Sequence, residues 1–103
     1  NFDIYAFGHA GDGNIHLNIT AQHQGNMDRV EMGVKAILAR VIQMGGTISG
    51  EHGIGQAKKQ YLSMELSAES IRLQTEIKKV FDPNMILNPG KIFPKKDVNN
   101  RLF

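Results

Sequence analysis

The chain opens on alternating apolar and polar positions. Phe2, Ile4 and Ala6 fall on one side, and Asp3, Tyr5 and Phe7 on the other. This period of two predicts a β-strand that is apolar on one face and mixed on the other. The alternation resumes over residues 14–20, with Ile15, Leu17 and Ile19 set against His16, Asn18 and Thr20. Residues 8–13 between them hold three glycines, a tight-loop composition, so the whole segment predicts a hairpin. Gln24, Gly25 and Asn26 break the pattern. Over residues 27–44 the apolar positions Met27, Val30, Val34, Ile37, Leu38, Val41 and Met44 recur at spacings of three and four. That spacing predicts an amphipathic helix, ended by Gly45 and Gly46. Residues 47–50 read as a short extended piece and 51–55 as a second glycine-bounded turn. Ser67 is the expected N-cap of a second helix running to about Phe81, with Ile71, Leu73, Ile77, Val80 and Phe81 as its apolar stripe. Asp82-Pro83 stops it, because a residue before proline avoids helical angles. The tail from Asn84, with Pro89-Gly90 and Pro94, reads as extended and irregular. These elements predict an α+β fold, a small antiparallel sheet with helices on one face.

Size and composition narrow the setting. The 103 residues make one small domain, short for an enzyme that must also enclose a large organic cofactor. At 41% apolar and 21% charged residues the chain has ordinary soluble composition. No apolar run approaches the roughly 20 residues needed to cross a bilayer, and no basic stretch followed by an apolar run marks a signal peptide. No transmembrane segment is therefore expected, and a cytoplasmic setting is. The first strand begins with almost no lead-in and needs a neighbour, so the chain is expected to continue something longer. The net charge of +2 does not point to nucleic acid. The late basic residues Lys78, Lys79, Lys91, Lys95, Lys96 and Arg101 read as a solvated helix face and tail.

The chain has no cysteine, which excludes disulfides, thiolate ligands and cysteine nucleophiles. Any metal must be held by His, Asp, Glu or backbone oxygen. Two glycine-framed segments carry nearly all the reactive side chains: GHAGDGNIHLN over residues 8–18 and GEHGIG over residues 50–55. His16 and Asn18 are two apart on a strand and share a face. A hairpin brings His9 toward His16, and two imidazoles with the Glu51 carboxylate would make a three-ligand metal site with open positions. His52, next to Glu51, could act as a base beside it. The alternatives are equally concrete. Two histidines on a hairpin are ambiguous between ligation and structure, His23 in a polar loop reads as structural, and Asp12 between glycines reads as a turn residue. Neither glycine segment has dinucleotide or P-loop spacing. The five methionines are scattered and read as packing.

Three strings, GHAGDGNIHLN (8–18), GGTISGEHGIG (45–55) and FDPNMILNPGKIF (81–93), stand in an order and spacing that resembles the C-terminal end of FAD-linked oxidases of the vanillyl-alcohol oxidase type. The nearest branch is the D-lactate dehydrogenase, glycolate oxidase subunit and D-2-hydroxyglutarate dehydrogenase group. The resemblance implies that residues 1–103 are the C-terminal part of such an enzyme, a ferredoxin-like cap portion and a flavin-returning tail. The FAD-binding domain, the expected partner, would lie outside this chain. It implies His9, His16 and Glu51 as ligands of a divalent metal, commonly zinc, and His52 as the base. It further implies Asn18 at the substrate, a small 2-hydroxyacid, and Asn88 and Lys91 at the FAD, while Lys58 reads either as a partner of the substrate carboxylate or as a solvent-facing helix lysine. The expected reaction is metal-assisted oxidation to a 2-oxoacid with hydride transfer to FAD, by a fragment inactive alone. Exposed apolar surface would favour self-association into a homo-oligomer. The rival reading is a non-catalytic metal- or ligand-binding module, and a third takes the glycine loops as purely structural.

Overall fold

A computed structural model of the chain describes residues 2–21 and 24–94. His23, Lys95, Lys96 and Arg101 lie outside the described residues. The fold is α+β, an antiparallel two-stranded sheet with helices. It divides into two compact units, Asn1–His52 and Gly53–Phe103.

In the first unit, strands β1 (Phe2–His9) and β2 (Asn14–Ala21) flank a 3-10 turn, Ala10–Asp12. Their antiparallel register runs unbroken from Phe2↔Ala21 to His9↔Asn14. Gly13 closes the turn at φ 65, its N–H donating to the Ala10 carbonyl at 3.2 Å. That left-handed angle costs other residues about 1–2 kcal/mol. Gly8 serves a different need, since a β-carbon there would overlap the Asn14 carbonyl oxygen on the facing strand. Directly opposed residues lie on one face. The register therefore sets Ile4 on Ile19 and Ala6 on Leu17 on the apolar side, and Tyr5 on Asn18, Phe7 on His16 and His9 on Asn14 on the other. The first helix touches β2, yet the apolar side of the hairpin stays largely open, with Ile4 56% and Ile15 68% exposed.

That helix, α1, spans Met27–Gln43, as its periodicity predicts. Val30, Val34, Ile37, Leu38 and Val41 form its half-buried face, while Met27 and Met44 at the ends of the stripe are exposed. At its C-terminus Gly45 N–H donates to Ile42 and Gly46 N–H to Val41, both at 2.9 Å, with Gly45 at φ 82. This paired arrangement satisfies carbonyls that a helix end otherwise leaves open.

The second unit contains two elements that the sequence pattern does not announce, a 3-10 turn Lys59–Tyr61 and the short helix α2, Leu62–Glu65. Tyr61 and Leu62 are buried. Helix α3 follows over Ala68–Phe81, and the Ser67 hydroxyl caps it by accepting from Ser70 N–H at 3.2 Å. The faces of α3 differ from expectation. Leu73, Ile77, Val80 and Phe81 are exposed, and the buried or half-buried line is Ile71, Thr75, Lys78 and Asp82. That line also follows helical spacing, but it is mostly polar.

Asp82 explains the polar line. Its carboxylate accepts from Lys78 Nζ at 2.7 Å and from the backbone N–H groups of Ile86 and Leu87 at 3.0 Å each. Lys78 also donates to the Leu87 carbonyl at 2.8 Å. Lys78 is thus no solvated face residue but a tie between helix and tail. The tail is irregular, as predicted, but folded back rather than extended: Lys59 Nζ donates to the Gly90 carbonyl and Ile92 N–H to Gly55. The fold-back puts non-glycine residues at positive φ, at Met85, Asn88 and Ile92. Asparagine tolerates such angles, whereas β-branched Ile92 is strained there. No helix among the described residues is long and apolar enough to cross a membrane.

The Lys78 hydrogen bond, with the two backbone donors, holds the Asp82 carboxyl below the usual carboxylate range. A carboxyl with a lowered folded pKa adds stability above its unfolded pKa and loses it as pH falls through the folded value. The stability difference between wild type and Asp82→Asn should therefore be full at neutral pH and shrink below about pH 4. Denaturant midpoints of both proteins across pH 7 to 3 check this; a pH-independent difference would remove Asp82 from that role.

Candidate metal centre

The polar side of the hairpin carries the chemistry. His16 on β2 stacks on its cross-strand partner Phe7, with ring centroids 5.2 Å apart and planes at 18°. The stack restricts the imidazole plane and leaves its Nε2 edge free to meet a partner. That partner comes from the segment after α1. Thr47 Oγ1 donates to the Ser49 carbonyl at 2.9 Å and Ile48 is buried, which tethers the chain just ahead of Glu51. His16 Nε2 and Glu51 Oε1 then lie 2.8 Å apart. His52 Nε2 lies 4.0 Å from the same oxygen, and the His16 and His52 rings meet edge to face at 5.4 Å.

One ligand atom from each of His16, Glu51 and His52 lies within 4.8 Å of the others. Exposure rises along the set, with side chains 24% open for His16, 50% for Glu51 and 74% for His52. Two imidazoles and one carboxylate are the donors of catalytic zinc sites with three protein ligands, and also of open-sided iron sites. The residues fit a divalent cation: the donors converge, are of the right type, and leave one side open to a further ligand.

The remaining candidates fall in several places. His9 is not in this cluster. It ends β1 opposite Asn14, two pairs nearer the turn than Phe7–His16 and on the same face. Diagonal neighbours of this kind stand roughly 7–8 Å apart. Asn18 lies on that face too, opposite Tyr5. Asp12 sits in the 3-10 turn. Lys58, Asn88 and Lys91 belong to the second unit. Lys58 is half-buried just before the 3-10 turn, and Lys91 Nζ donates to Gln56 Oε1 at 2.9 Å. Phe7 is the site residue that sequence reasoning missed. Its signal was there in the hairpin alternation, which places it opposite His16 once the turn length is known.

His16 of the hairpin, with Glu51 and His52 of the segment after α1, defines a candidate divalent-metal centre on an α+β scaffold. The chain belongs to the family described as FAD linked oxidases, C-terminal domain, which matches residues 1–92. It is 46% identical over 97 residues to the glycolate oxidase subunit GlcD of Bacillus subtilis (strain 168), covering 92% of this chain and 21% of that protein. It is 44% identical over 95 residues to a D-lactate dehydrogenase of Anaerostipes hadrus, covering 89% and 20%. A D-2-hydroxyglutarate dehydrogenase of Xanthomonas citri pv. viticola is 46% identical over 101 residues, covering 94% and 21%. The chain spans about a fifth of the length of these relatives.

Proposed function

We propose that the whole protein oxidises a D-2-hydroxyacid to a 2-oxoacid with FAD as two-electron acceptor, and that this chain supplies the metal- and base-bearing side of its active site. The observation that carries the reading is the convergence of His16, Glu51 and His52 in an open cluster. The names of the relatives, a glycolate oxidase subunit, a D-lactate dehydrogenase and a D-2-hydroxyglutarate dehydrogenase, support the substrate class. A divalent cation such as zinc, when bound, lowers the pKa of a substrate hydroxyl by Lewis acidity. His16 and Glu51 are two of its ligands, and His9 is the third, from the next pair on the same face. His52, the most exposed ring, takes the hydroxyl proton at Nε2. Asn18, beside His16 on the strand, orients the substrate, and Lys58 meets its carboxylate. Asn88 and Lys91 lie on the folded-back tail that approaches the flavin, whose main site is in the partner domain of the same protein.

A second reading exchanges His9 and His52. It is favoured by the position of His52 Nε2, 4.0 Å from the shared Glu51 oxygen. Metal content and substrate-driven flavin reduction in the full-length protein separate the two. His16→Ala and Glu51→Gln should lose the metal in either case. His9→Ala should lose it as well, whereas His52→Ala should keep it and slow flavin reduction by about 100- to 10,000-fold, the usual worth of a general base. Metal lost in His52→Ala and kept in His9→Ala would exchange the roles. Metal bound by a wild type whose flavin no 2-hydroxyacid reduces would leave a binding module instead.

A further inference from the structure

We infer that Asn14 and Gly50 are a positioning pair that seats the Glu51–His52 turn on strand β2 and so sets the Glu51 carboxylate on His16; the inference rests on the proposed metal site and deepens it. The glycines of the second segment are present for different reasons. Gly53 and Gly55 hold left-handed angles, at φ 73 and 54, and a β-carbon on either would meet nothing within 4 Å. Gly50 is not among the positive-φ residues, so its backbone angle does not call for glycine. A β-carbon there would instead overlap Asn14 Oδ1 and come within 2.8 Å of Asn14 Cγ. What glycine provides at position 50 is close approach to one side chain.

That side chain is well placed to matter. Asn14 and His16 are two apart on β2 and share a face. Gly50 and Glu51 are adjacent on the facing segment. The turn therefore meets the strand at two neighbouring points, Gly50 on Asn14 and Glu51 on His16. Glu51 lies outside the strands and helices, so no ladder of backbone hydrogen bonds fixes its distance from β2. The contact one residue earlier supplies that spacing. A methyl at position 50 must be met by a shift of the Asn14 amide or of the turn, and under the inferred pairing it is the turn that lifts, drawing the carboxylate away from the imidazole. Residues that orient ligands in this way are typically worth about 10- to 100-fold in metal affinity.

The test uses the full-length flavoprotein in four forms, wild type, Gly50→Ala, Asn14→Ala and the double variant, with Asn14→Gln as a second means of adding bulk. Two quantities are read: the zinc dissociation constant by chelator competition, and the His16 Nε2 to Glu51 Oε1 separation in crystal structures. Gly50→Ala and Asn14→Gln should each weaken zinc by about 10- to 100-fold and carry the carboxylate out of hydrogen-bond reach. The double variant should bind zinc more tightly than Gly50→Ala alone, because the shorter side chain at 14 makes room for the new methyl. A general loss of folding would not be reversed by a second truncation. Wild-type affinity with an unmoved Glu51 in Gly50→Ala, or losses that simply multiply in the double variant, would overturn the pairing. If the wild type binds no zinc, the metal reading fails alone, and the movement of Glu51 still decides the positioning.

Discussion

The pairing of Phe7 with His16 across the hairpin is the constraint on which the site depends. Strand side chains alternate, so a slip of one residue would carry His16 to the apolar side and Ile15 or Leu17 to the polar one. The slip is blocked at the tip. Gly13 sets the turn, and the close approach at Gly8 admits no side chain, which holds Gly8 against Ile15. With the register held, one stacking contact orients the imidazole, and a turn arriving from α1 needs only to present a carboxylate at the right height.

The second unit solves its packing with charge. Asp82 gathers a lysine of its own helix and two backbone donors of the segment after Pro83. A buried carboxylate without such partners would be costly. With them it becomes a clamp that turns the chain back along the unit. The strained angle at Ile92 is held from both sides, by Ile92 N–H on the Gly55 carbonyl and by the neighbouring Lys91 on Gln56. Strain of this sort persists only where its surroundings over-determine it.

What could be read from the sequence was local. The hairpin, the helix ended by Gly45 and Gly46 and the Ser67 cap each depend on signals within a few residues, and each stands where its pattern puts it. What could not be read was relational. Helix α2 is four residues long, too short for a period to show. The stripe Leu73, Ile77, Val80 and Phe81 is a correct amphipathic pattern, yet these residues stay exposed while a polar line is buried. Periodicity records which residues favour burial and not which neighbour covers them. At the site, His16 and Glu51 were visible as chemistry. Their meeting across 35 positions was implied by the family resemblance and not by spacing, because no spacing rule links a strand residue to a distant turn.

The gradient of exposure through the cluster supports the division of roles proposed for it. A metal ligand works best when held before the metal arrives, since ordering it afterwards costs binding free energy. His16, stacked and the least exposed of the three, meets that need. A base must reach a proton on an incoming molecule, which a ring packed against the protein could not do. His52, with three quarters of its side chain open, is suited to that task and poorly restrained for ligation. Glu51 stands between them, its Oε1 2.8 Å from His16 Nε2 and 4.0 Å from His52 Nε2. On the proposed reading the nearness of His52 to Glu51 would suit a base beside a bound cation, and the third ligand would come from along the hairpin, where His9 shares the face of His16.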